Sequence, residues 1–560
     1  MESELKKEWL KHYPKNVAHE IDYSQITSIN EIFEEACANY KDLVAYENFG
    51  TDLSFSELNK HSEDFASFLQ NHLGLKKGDR IAIQMPNLLQ YPIALFGALR
   101  AGLIVVNTNP LYTEREMTHQ FNDAGVKAVV ILSNFADKLE GILSETSIEH
   151  VVITNVGDML GFPKSFAINF VLKYLKKQVP HFNLPQAYSF HGALNHGESK
   201  KFKKVDVDKS DTAFLQYTGG TTGVAKGAEL THSNIISNML QITEWMSACL
   251  KKGEEVILTP LPLYHIFSLT VNCVGYLYFG GKNILITNPR DIPGFIKIMK
   301  TRTYTLMSGV NTLYNALLNN PDFANLDFSK LKLSVAGGMA LQKDVSTRWL
   351  AVTGTPCVEG FGLTETSPVA SCNPIDGTDR VGTIGIPLPS TEIKLVDEDN
   401  KVVEDDRPGE LYIRGPQVMK GYWNRPDETK NILTDDGWIK TGDIAVNAGD
   451  GFFKIVDRKK DMILVSGFNV FPNEIEDVMA THPGVLEVAA IGVPHKESGE
   501  VVKICVVKKD PNLTKEELKA HAKEDLTGYK VPKVIEFFDE LPKSNVGKIL
   551  RRELRDKKGV

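Results

Sequence analysis

The pattern of hydrophobic and polar residues divides the chain into stretches that predict different types of secondary structure. Over residues 52–130 short apolar runs alternate with segments of helical periodicity, and the same alternation returns over 256–345. Short apolar runs between amphipathic helices are typical of parallel strands in βαβ units. We therefore predict an α/β fold with two doubly wound subdomains. The strands expected in them are residues 80–84, 128–132, 256–258, 283–286 and 332–336.

The predicted secondary structure changes between residues 381 and 456, where short strands and turns follow one another. The runs 392–396, 409–414 and 451–456 predict a small β-rich, barrel-like subdomain. A charge run, Asp457-Arg-Lys-Lys-Asp461, comes next, and about a hundred residues of mixed α and β pattern follow it. We place the domain boundary at this run, between a large N-terminal domain (1–457) and a smaller α+β C-terminal domain (463–560).

Residues 164–179 predict a basic amphipathic helix. Its two faces are Asn169, Lys173, Lys176 and Lys177 on one side, and Phe170, Val171, Leu172, Tyr174 and Leu175 on the rest. Such a helix can lie in a membrane interface or pack on its own protein, and the sequence leaves both alternatives open. The most apolar stretch, 91–106, carries Arg100, so we expect core there rather than a membrane span.

Composition narrows the class of protein. The 560 residues, 42% hydrophobic and 24% charged, are ordinary for a globular protein with more than one core. A net charge of −8 argues against a general nucleic-acid binder. Six scattered cysteines without a CxxC pair predict reduced thiols in the cytoplasm and no metal cluster. The acidic N-terminus lacks the apolar core of a secretory signal.

The strongest candidate for chemistry is the segment 217–227, Tyr-Thr-Gly-Gly-Thr-Thr-Gly-Val-Ala-Lys-Gly, which follows an apolar strand at 212–216. Glycines let backbone N–H groups face an anion, hydroxyls donate to phosphate oxygens, and a lysine adds positive charge. We therefore predict a phosphate-binding loop at a sheet edge. Its candidate ligand-binding residues are Tyr217, Thr218, Gly219, Gly220, Thr221, Thr222, Gly223 and Lys226.

The loop is not a Walker A motif. Counted from Gly220, Ala225 stands where the second glycine belongs, and Gly227 stands where the hydroxyl that binds magnesium belongs. A P-loop NTPase is therefore disfavoured. A flexible surface linker is the remaining alternative, but linkers rarely place one lysine and a buried strand at this spacing.

Three further segments complete the candidate site. Glu359-Gly-Phe-Gly-Leu-Thr-Glu365 offers an aromatic ring between glycines for a planar base, and a carboxylate for magnesium beside a triphosphate. Asp436-Gly-Trp-Ile-Lys-Thr-Gly-Asp443 places an aspartate on a turn, either for a ribose diol or as an Asx turn. Lys548 follows Gly547 near the C-terminus, in a basic stretch that is either a site or a solvated face.

Together these segments resemble the adenylate-forming superfamily, over nearly the whole chain and in the family's order. Pro262-Leu-Tyr-His265 matches the family's aromatic-histidine motif, and residues 361–365 match its Tyr-Gly-x-Thr-Glu motif with Phe361 in place of tyrosine. That replacement keeps ring stacking and loses a hydroxyl. The block from Asp436 to Lys460 and the segments 288–293 and 465–474 are most similar to bacterial long-chain fatty acid–CoA ligases.

The resemblance implies a role for each matched residue. Lys548 is the adenylation lysine, Glu365 the magnesium ligand and catalytic carboxylate, and His265 a residue that shapes or gates the acyl site, with a purely structural histidine as the alternative. Thr221 stabilises the departing pyrophosphate within the phosphate loop. Lys460 is the hinge, within 458–462. The remaining nucleotide contacts implied are Gly337, Gly338, Gly360, Phe361, Gly362, Thr364, Asp443 and Arg458, and Gly467 belongs to a loop used in the second half-reaction.

The implied function is activation of a long-chain fatty acid with ATP and Mg²⁺, through an acyl-adenylate, to the thioester of coenzyme A. Three alternatives stay open: a fatty-acyl-AMP ligase, an adenylation module that loads a carrier protein, and a non-catalytic nucleotide sensor. The resemblance implies a cytoplasmic enzyme and favours peripheral contact with the inner face of the cell membrane. Neither the chain-length range nor the oligomeric state can be read from these motifs.

Overall fold

The computed structural model describes residues 7–218, 225–403, 405–466, 468–495, 498–544 and 547–556. The strands of these residues are β1 Val44–Asn48, β2 Thr51–Ser54, β3 Arg80–Gln84, β4 Ile104–Asn107, β5 Val126–Leu132, β6 His150–Thr154, β7 Tyr188–Ser189, β8 Thr212–Thr218, β9 Lys226–Thr231, β10 Val256–Thr259, β11 Lys282–Leu285, β12 Leu306–Gly309, β13 Leu333–Ala336, β14 Cys357–Gly362, β15 Val369–Cys372, β16 Ile386–Pro387, β17 Glu392–Val396, β18 Gly409–Arg414, β19 Gly421–Tyr422, β20 Ile439–Asn447, β21 Phe453–Arg458, β22 Ile463–Val465, β23 Phe468–Val470, β24 Val485–His495, β25 Gly499–Lys508 and β26 Val534–Phe538.

The α-helices are α1 Ile29–Asn39, α2 Phe55–Asn71, α3 Gln90–Arg100, α4 Glu114–Ala124, α5 Ala136–Ile142, α6 Lys164–Phe170, α7 Phe190–Glu198, α8 His232–Met246, α9 Tyr276–Phe279, α10 Ile292–Thr301, α11 Asn311–Leu318, α12 Lys343–Thr353, α13 Pro426–Ile432, α14 Pro472–Ala480, α15 Lys515–Asp525 and α16 Arg551–Asp556. Two segments, Val171–Leu175 and Ser268–Gly275, are π-helical.

Two large sheets with parallel centres form the body of the N-terminal domain. One has the strand order β19-β9-β8-β4-β3-β5-β6-β7, and the other β16-β15-β14-β13-β12-β10-β11-β1-β2. Their central strands are parallel and buried, which explains why they are continuous apolar runs rather than alternating ones. The two predicted doubly wound subdomains are thereby confirmed.

The β-rich segment is an open sheet and not a closed barrel, which corrects the barrel-like prediction. Its antiparallel strands run in the order β17-β18-β20-β21, and the two outermost strands do not pair with each other. Closure is unnecessary because one face of the sheet packs on the N-terminal domain. In that cluster Leu411 and Ile413 join Ala370 of β15 and Ile384.

The C-terminal domain is a smaller α+β unit. Strands β23-β22-β25-β24 form its sheet, β26 adds to β25, and the apolar sides of α14 and α15 cover one face. Strand β21 ends at Arg458 and β22 begins at Ile463. The predicted hinge residues therefore connect two different sheets.

The segment 164–179 differs from the predicted continuous helix. It is α-helical only over α6, continues as the π-helical segment 171–175, and then ends. Lys177 lies beyond the helix with φ +51°, and Asn169 faces the protein, where its Oδ1 accepts from the Gly157 N–H at 2.8 Å. Local hydrogen bonding at the π turn, which side-chain periodicity does not report, ends the helix early.

The apolar stretch 91–106 is core, as predicted, divided between α3 and β4. Arg100 is buried there because its guanidinium donates to the Asn59 carbonyl and to Ser62 Oγ, both at 2.9 Å. In the described part of the chain, no helix combines the length and the hydropathy needed to cross a bilayer.

Candidate active site

The predicted phosphate loop connects two antiparallel strands at the edge of the first sheet. β8 and β9 form a hairpin in which Thr218 pairs with Lys226. The Tyr217 hydroxyl donates to Asp123 Oδ2 at 2.7 Å, and burial together with this bond raises the tyrosine pKa. The residues at the tip of the loop, Gly219, Gly220, Thr221, Thr222 and Gly223, lie outside the described residues.

Lys226 stands at the base of this loop and has two partners. Its ammonium group forms an ion pair with Glu428 of α13 and lies 5.2 Å from the ring centroid of Tyr422. Strand β19 brings Tyr422 there, because it pairs antiparallel with β9, Tyr422 opposite Ala228. An ammonium group held between a carboxylate and a ring keeps a positive charge beside the loop.

Glu365 belongs to a short 3₁₀ turn, Thr364–Thr366, directly after β14. The Tyr422 hydroxyl donates to Glu365 Oε1 at 2.6 Å, and the Glu365 carbonyl accepts from the Met419 N–H at 2.8 Å. Tyr422 therefore contacts both the lysine at the phosphate loop and the carboxylate predicted to hold magnesium. It fixes the distance between the two groups.

The residues present fit a magnesium ion that is bound mainly by substrate. Mg²⁺ in nucleotide enzymes is typically held by one or two carboxylates, phosphate oxygens and water. The described residues contain no group of three His, Cys, Asp or Glu side chains arranged as a metal site. A single carboxylate, Glu365, held in place beside the phosphate loop, matches the first pattern.

Five of the predicted nucleotide contacts lie where β13 and β14 end. Gly337 and Gly338 follow β13, while Gly360 and Phe361 lie on the adjacent β14, and Gly362 ends that strand. A Cβ at position 337 would lie 2.8 Å from the Phe267 ring and 3.3 Å from the Gly360 carbonyl oxygen. Glycine is thus required at position 337 for the two strand ends to approach each other.

Asp443 and Arg458 face each other across β20 and β21. Arg458 Nε lies 3.2 Å from Asp443 Oδ1, and Asp443 is 3% exposed. Its second oxygen, Oδ2, accepts no hydrogen bond within the described residues, and burial raises the carboxyl pKa. A buried acceptor without a donor is costly, so this atom suits a ligand hydroxyl such as that of a ribose diol.

Lys548 reaches the site from the C-terminal domain. The residue before it, Gly547, has φ +81°, and its carbonyl accepts from Thr312 Oγ1 of α11 at 3.2 Å. A Cβ at position 547 would lie 2.7 Å from the same Thr312 oxygen, so both the φ angle and the close approach require glycine. This contact places the Lys548 backbone against the N-terminal domain.

The electrostatic surroundings of Lys548 show where its side chain lies. Burial and the nearby Arg458 lower the pKa of Lys548 to about 8, whereas Asp443 opposes that shift. An ammonium group beside a guanidinium is a poor arrangement unless an anion comes between them. The pair Lys548 and Arg458 is therefore suited to a phosphate or carboxylate ligand.

His265 lies on the same side of the site as Lys548. Burial and the Lys548 charge lower the pKa of His265 to about 4, so its ring is neutral at physiological pH. Its Nδ1 accepts from the Phe267 N–H at 3.3 Å, which leaves Nε2 as the protonated nitrogen. Gln216 fixes the preceding residue by donating to the Tyr264 carbonyl at 2.7 Å.

The structure also brings in residues that the sequence reasoning missed. Tyr422, Glu428 and Asp123 contact the phosphate hairpin, and Thr312 contacts the lysine loop. None belongs to a motif whose composition indicates a nucleotide site. The only sequence signal for these residues is the Gly421-Tyr422 pair shortly before a helix. That pair indicates a site residue only once β19 is known to pair with β9.

Lys460 and Gly467 are the two residues predicted to act in the movement of the C-terminal domain. Lys460 is exposed, in the turn after β21 where the Asp461 N–H donates to the Arg458 carbonyl at 2.9 Å. Gly467 lies outside the described residues.

The site residues described are thus the hairpin β8–β9, the ends of β13 and β14, the buried Asp443 oxygen without a partner, Glu365, and Lys548 from a second domain. The chain belongs to the family of AMP-binding enzymes. It matches the AMP-binding enzyme domain over residues 33–423 and the AMP-binding enzyme C-terminal domain over 474–548.

Within that family the chain is similar to two curated enzymes along nearly its whole length. It is 56% identical to the long-chain-fatty-acid–CoA ligase of Escherichia coli O157:H7 over 552 residues, which is 99% of this chain and 98% of that protein. It is 52% identical to the long-chain-fatty-acid–CoA ligase of Haemophilus influenzae over 556 residues, with 99% and 98% covered.

Among solved structures, ATP-bound MatB from Rhodopseudomonas palustris superimposes with a TM-score of 0.80. The two chains are 28% identical, and the match covers 94% of this chain and 98% of that one. The architecture described above, including the smaller C-terminal domain, is therefore that of an ATP-using member of the family.

Proposed function

We propose that the chain is an AMP-forming ligase that converts long-chain fatty acids to coenzyme A thioesters at the expense of ATP. The observation that carries the proposal is the contact of the Lys548 loop with the N-terminal domain, where Thr312 donates to the Gly547 carbonyl, together with the buried pair Asp443 and Arg458. Its relatives with more than half of their residues identical are long-chain-fatty-acid–CoA ligases, which supports this acid as the substrate class.

In the first half-reaction a fatty-acid carboxylate oxygen attacks the α-phosphorus of ATP, and the bond to pyrophosphate breaks. Lys548 lies where negative charge accumulates between the carboxylate and the α-phosphate, and its ammonium group offsets that charge. Positioning and electrostatic stabilisation provide most of the rate in such transfers. Magnesium, when bound, neutralises charge on the phosphates.

The nucleotide is held by the residues assembled above. The base lies against Gly337, Gly338 and Phe361, and the ribose hydroxyls donate to Asp443. The phosphates lie in the hairpin, with Thr218 and Lys226 at its base, and Thr221, which is outside the described residues, stabilises the departing pyrophosphate. Glu365 binds the metal, and Tyr422 holds that carboxylate in place.

In the second half-reaction the coenzyme A thiolate attacks the acyl carbon, and AMP leaves with the electrons of the broken acyl–phosphate bond. We propose domains at 1–457 and 463–560, with residues 458–462 as the hinge and Lys460 at its centre. Rotation there withdraws Lys548, whose loop contacts the N-terminal domain through the hydrogen bond from Thr312 Oγ1 to the Gly547 carbonyl.

We also propose that the enzyme works in the cytoplasm, at the surface of the membrane. ATP and coenzyme A are water-soluble, whereas a long-chain fatty acid partitions into bilayers. An enzyme that joins them benefits from contact with the bilayer surface.

The test is release of AMP from ATP with fatty acids of increasing chain length, in the presence and absence of coenzyme A. The proposal predicts AMP release that depends on both coenzyme A and a long acyl chain, with acyl-CoA as the product on chromatography. Acyl-adenylate as the end product, unaffected by coenzyme A, would instead indicate a fatty-acyl-AMP ligase. Acyl transfer to a phosphopantetheine-bearing carrier but not to free coenzyme A would indicate a loading module.

A further inference from the structure

An exposed line of aromatic side chains runs along the short helical segment 162–175. Phe162 is 90% exposed, Phe166 66%, Phe170 43% and Tyr174 59%. Consecutive rings are in contact, with centroids 6.0 Å apart between Phe166 and Phe170 and 5.1 Å between Phe170 and Tyr174. Single exposed apolar residues are ordinary, but a contiguous aromatic patch marks an interaction surface.

The opposite side of the segment fixes its orientation. Asn169 Nδ2 donates to Asp158 Oδ1 at 3.0 Å and its Oδ1 accepts from Gly157, while Ile168 and Leu172 pack on the main core. The π turn at 171–175, with the Lys176 N–H donating to the Val171 carbonyl, keeps Tyr174 in line with Phe170. The exposed aromatic side chains are therefore held at the surface by a fixed support.

Local charge identifies the kind of partner. Residues 159–183 contain four lysines, Lys164, Lys173, Lys176 and Lys177, and no aspartate or glutamate, in a chain whose net charge is −8. All four lysines are exposed. Aromatic residues flanked by lysines suit the interface of an anionic bilayer, where the rings enter the headgroup region and the ammonium groups meet phosphates.

A cavity of about 220 Å³ lies between this segment and the loops after β5 and β6. Phe166, Phe170 and Tyr174 line it on one side, and Ser133 and Asn134 on the other. Ser133 Oγ and Asn134 Oδ1 are buried and have no hydrogen-bond partner in the described residues. The cavity therefore has aromatic side chains on one side and polar side chains on the other.

The position of the patch connects it to the active site. β5, β6 and β8 are parallel strands of one sheet, so the loops after β5 and β6 lie at the same edge as the phosphate hairpin that follows β8. β8 and β6 are four strand spacings apart, which is roughly 19 Å. A bilayer at the patch is thus near the site that needs the acyl substrate.

We propose that residues 162–177 are the surface by which this enzyme docks on an anionic bilayer. The aromatic rings enter the headgroup region and the four lysines contact lipid phosphates. The proposal specifies the membrane contact included in the proposed function, and it is tested by binding alone.

The experiment is sedimentation of the full-length chain with sucrose-loaded vesicles of phosphatidylcholine, with and without 30% phosphatidylglycerol (about one lipid in three, enough for a clear surface charge). We expect the wild type to bind the anionic vesicles at least tenfold more strongly. The triple variant Phe166→Ser, Phe170→Ser, Tyr174→Ser should lose at least tenfold on anionic vesicles. Lys173→Glu, Lys176→Glu, Lys177→Glu should remove the dependence on phosphatidylglycerol.

A matched control reverses three exposed lysines of α15 in the C-terminal domain, Lys515, Lys519 and Lys523, which changes the net charge equally. This variant should bind as the wild type does. Equal binding by all the variants would overturn the proposal. So would a wild type that self-associates in size-exclusion chromatography and is made monomeric by the serine substitutions, since the patch would then contact a second copy.

Adding one tryptophan to the five of the wild type, and measuring quenching as the difference from the wild type, tests the same contact without removing the surface. Brominated phosphatidylglycerol vesicles should quench the tryptophan fluorescence added by Phe170→Trp. They should not quench the fluorescence added by Leu350→Trp, at a 49% exposed position on α12. Equal quenching at both positions would contradict docking through this segment. Ligation of palmitate supplied in detergent solution without vesicles should be unchanged in all these variants, so a failure of docking is distinguishable from a failure of the ligase assignment.

Discussion

Replacing Lys548 by alanine should separate the two half-reactions. Burial beside Arg458 lowers the pKa of Lys548 from 10.5 to about 8. At about 1.4 kcal/mol per pKa unit, keeping the ammonium charged there costs about 3 kcal/mol, an expense offset when phosphate and carboxylate charge lies next to it. Removing one such charge-stabilising group typically slows the chemical step 10²- to 10³-fold. We expect a loss of this size in adenylate formation.

The assay measures each half-reaction by itself. Adenylate formation is followed by exchange of labelled pyrophosphate into ATP, and thioester formation by mixing chemically supplied acyl-adenylate with coenzyme A. Lys548→Ala should lose the first activity and keep the second within a few-fold, because Lys548 is withdrawn in the second step. Lys509→Ala, an exposed lysine of the same domain, is the control and should keep both. Equal losses of both activities in Lys548→Ala would refute the assigned role.

Three other predictions follow from the site. Tyr422→Phe removes the hydroxyl that holds Glu365 in place. The magnesium concentration for half-maximal adenylation should therefore rise about tenfold, while the KM for fatty acid stays unchanged. An unaltered magnesium titration would argue against the positioning role of Tyr422. Lys548 acts protonated, and its pKa is lowered to about 8, so kcat/KM for ATP in adenylation should fall as pH rises through about 8. The fall should disappear in Lys548→Arg. A flat pH profile in the wild type would count against a protonated Lys548 as the acting group. Burial raises the pKa of Glu359 to about 8, above its ordinary 4.5, so its contribution to stability is present at low pH and is lost as pH rises from about 5 to 8. Glu359→Gln should therefore raise the melting temperature relative to wild type more at pH 8.5 than at pH 6, and an equal difference at both pH values would contradict this.

Local pattern predicted most of the strands because buried parallel strands have a strong apolar signal. β3, β17 and β18 have the expected bounds, and β8 leads into the phosphate hairpin as the apolar run indicated. The helix at 164–179 was predicted too long, because a π turn depends on backbone hydrogen bonds rather than on side-chain periodicity. The expected barrel is an open sheet, since the N-terminal domain covers the face that closure would have buried.

Candidate site residues could be proposed from the sequence where they are contiguous, as in the segments 217–227 and 359–365, and their roles stay predictions. They could not be proposed where contacts join distant segments. Tyr422 meets Lys226 and Glu365 only because β19 pairs with β9, and Thr312 meets Gly547 only because two domains are in contact. Such pairings depend on the packing of whole sheets, which a single sequence does not state.

In the proposed mechanism, Lys548 and the phosphate hairpin together activate a fatty acid with ATP. Exchange of labelled pyrophosphate into ATP by the purified chain, with magnesium and without coenzyme A, measures this step by itself. We expect exchange that requires a long-chain acid such as palmitate and that falls at least a hundredfold in Lys548→Ala, the lower end of the loss expected for one charge-stabilising group. Absence of exchange with any fatty acid, or equal exchange in the variant, would contradict this mechanism.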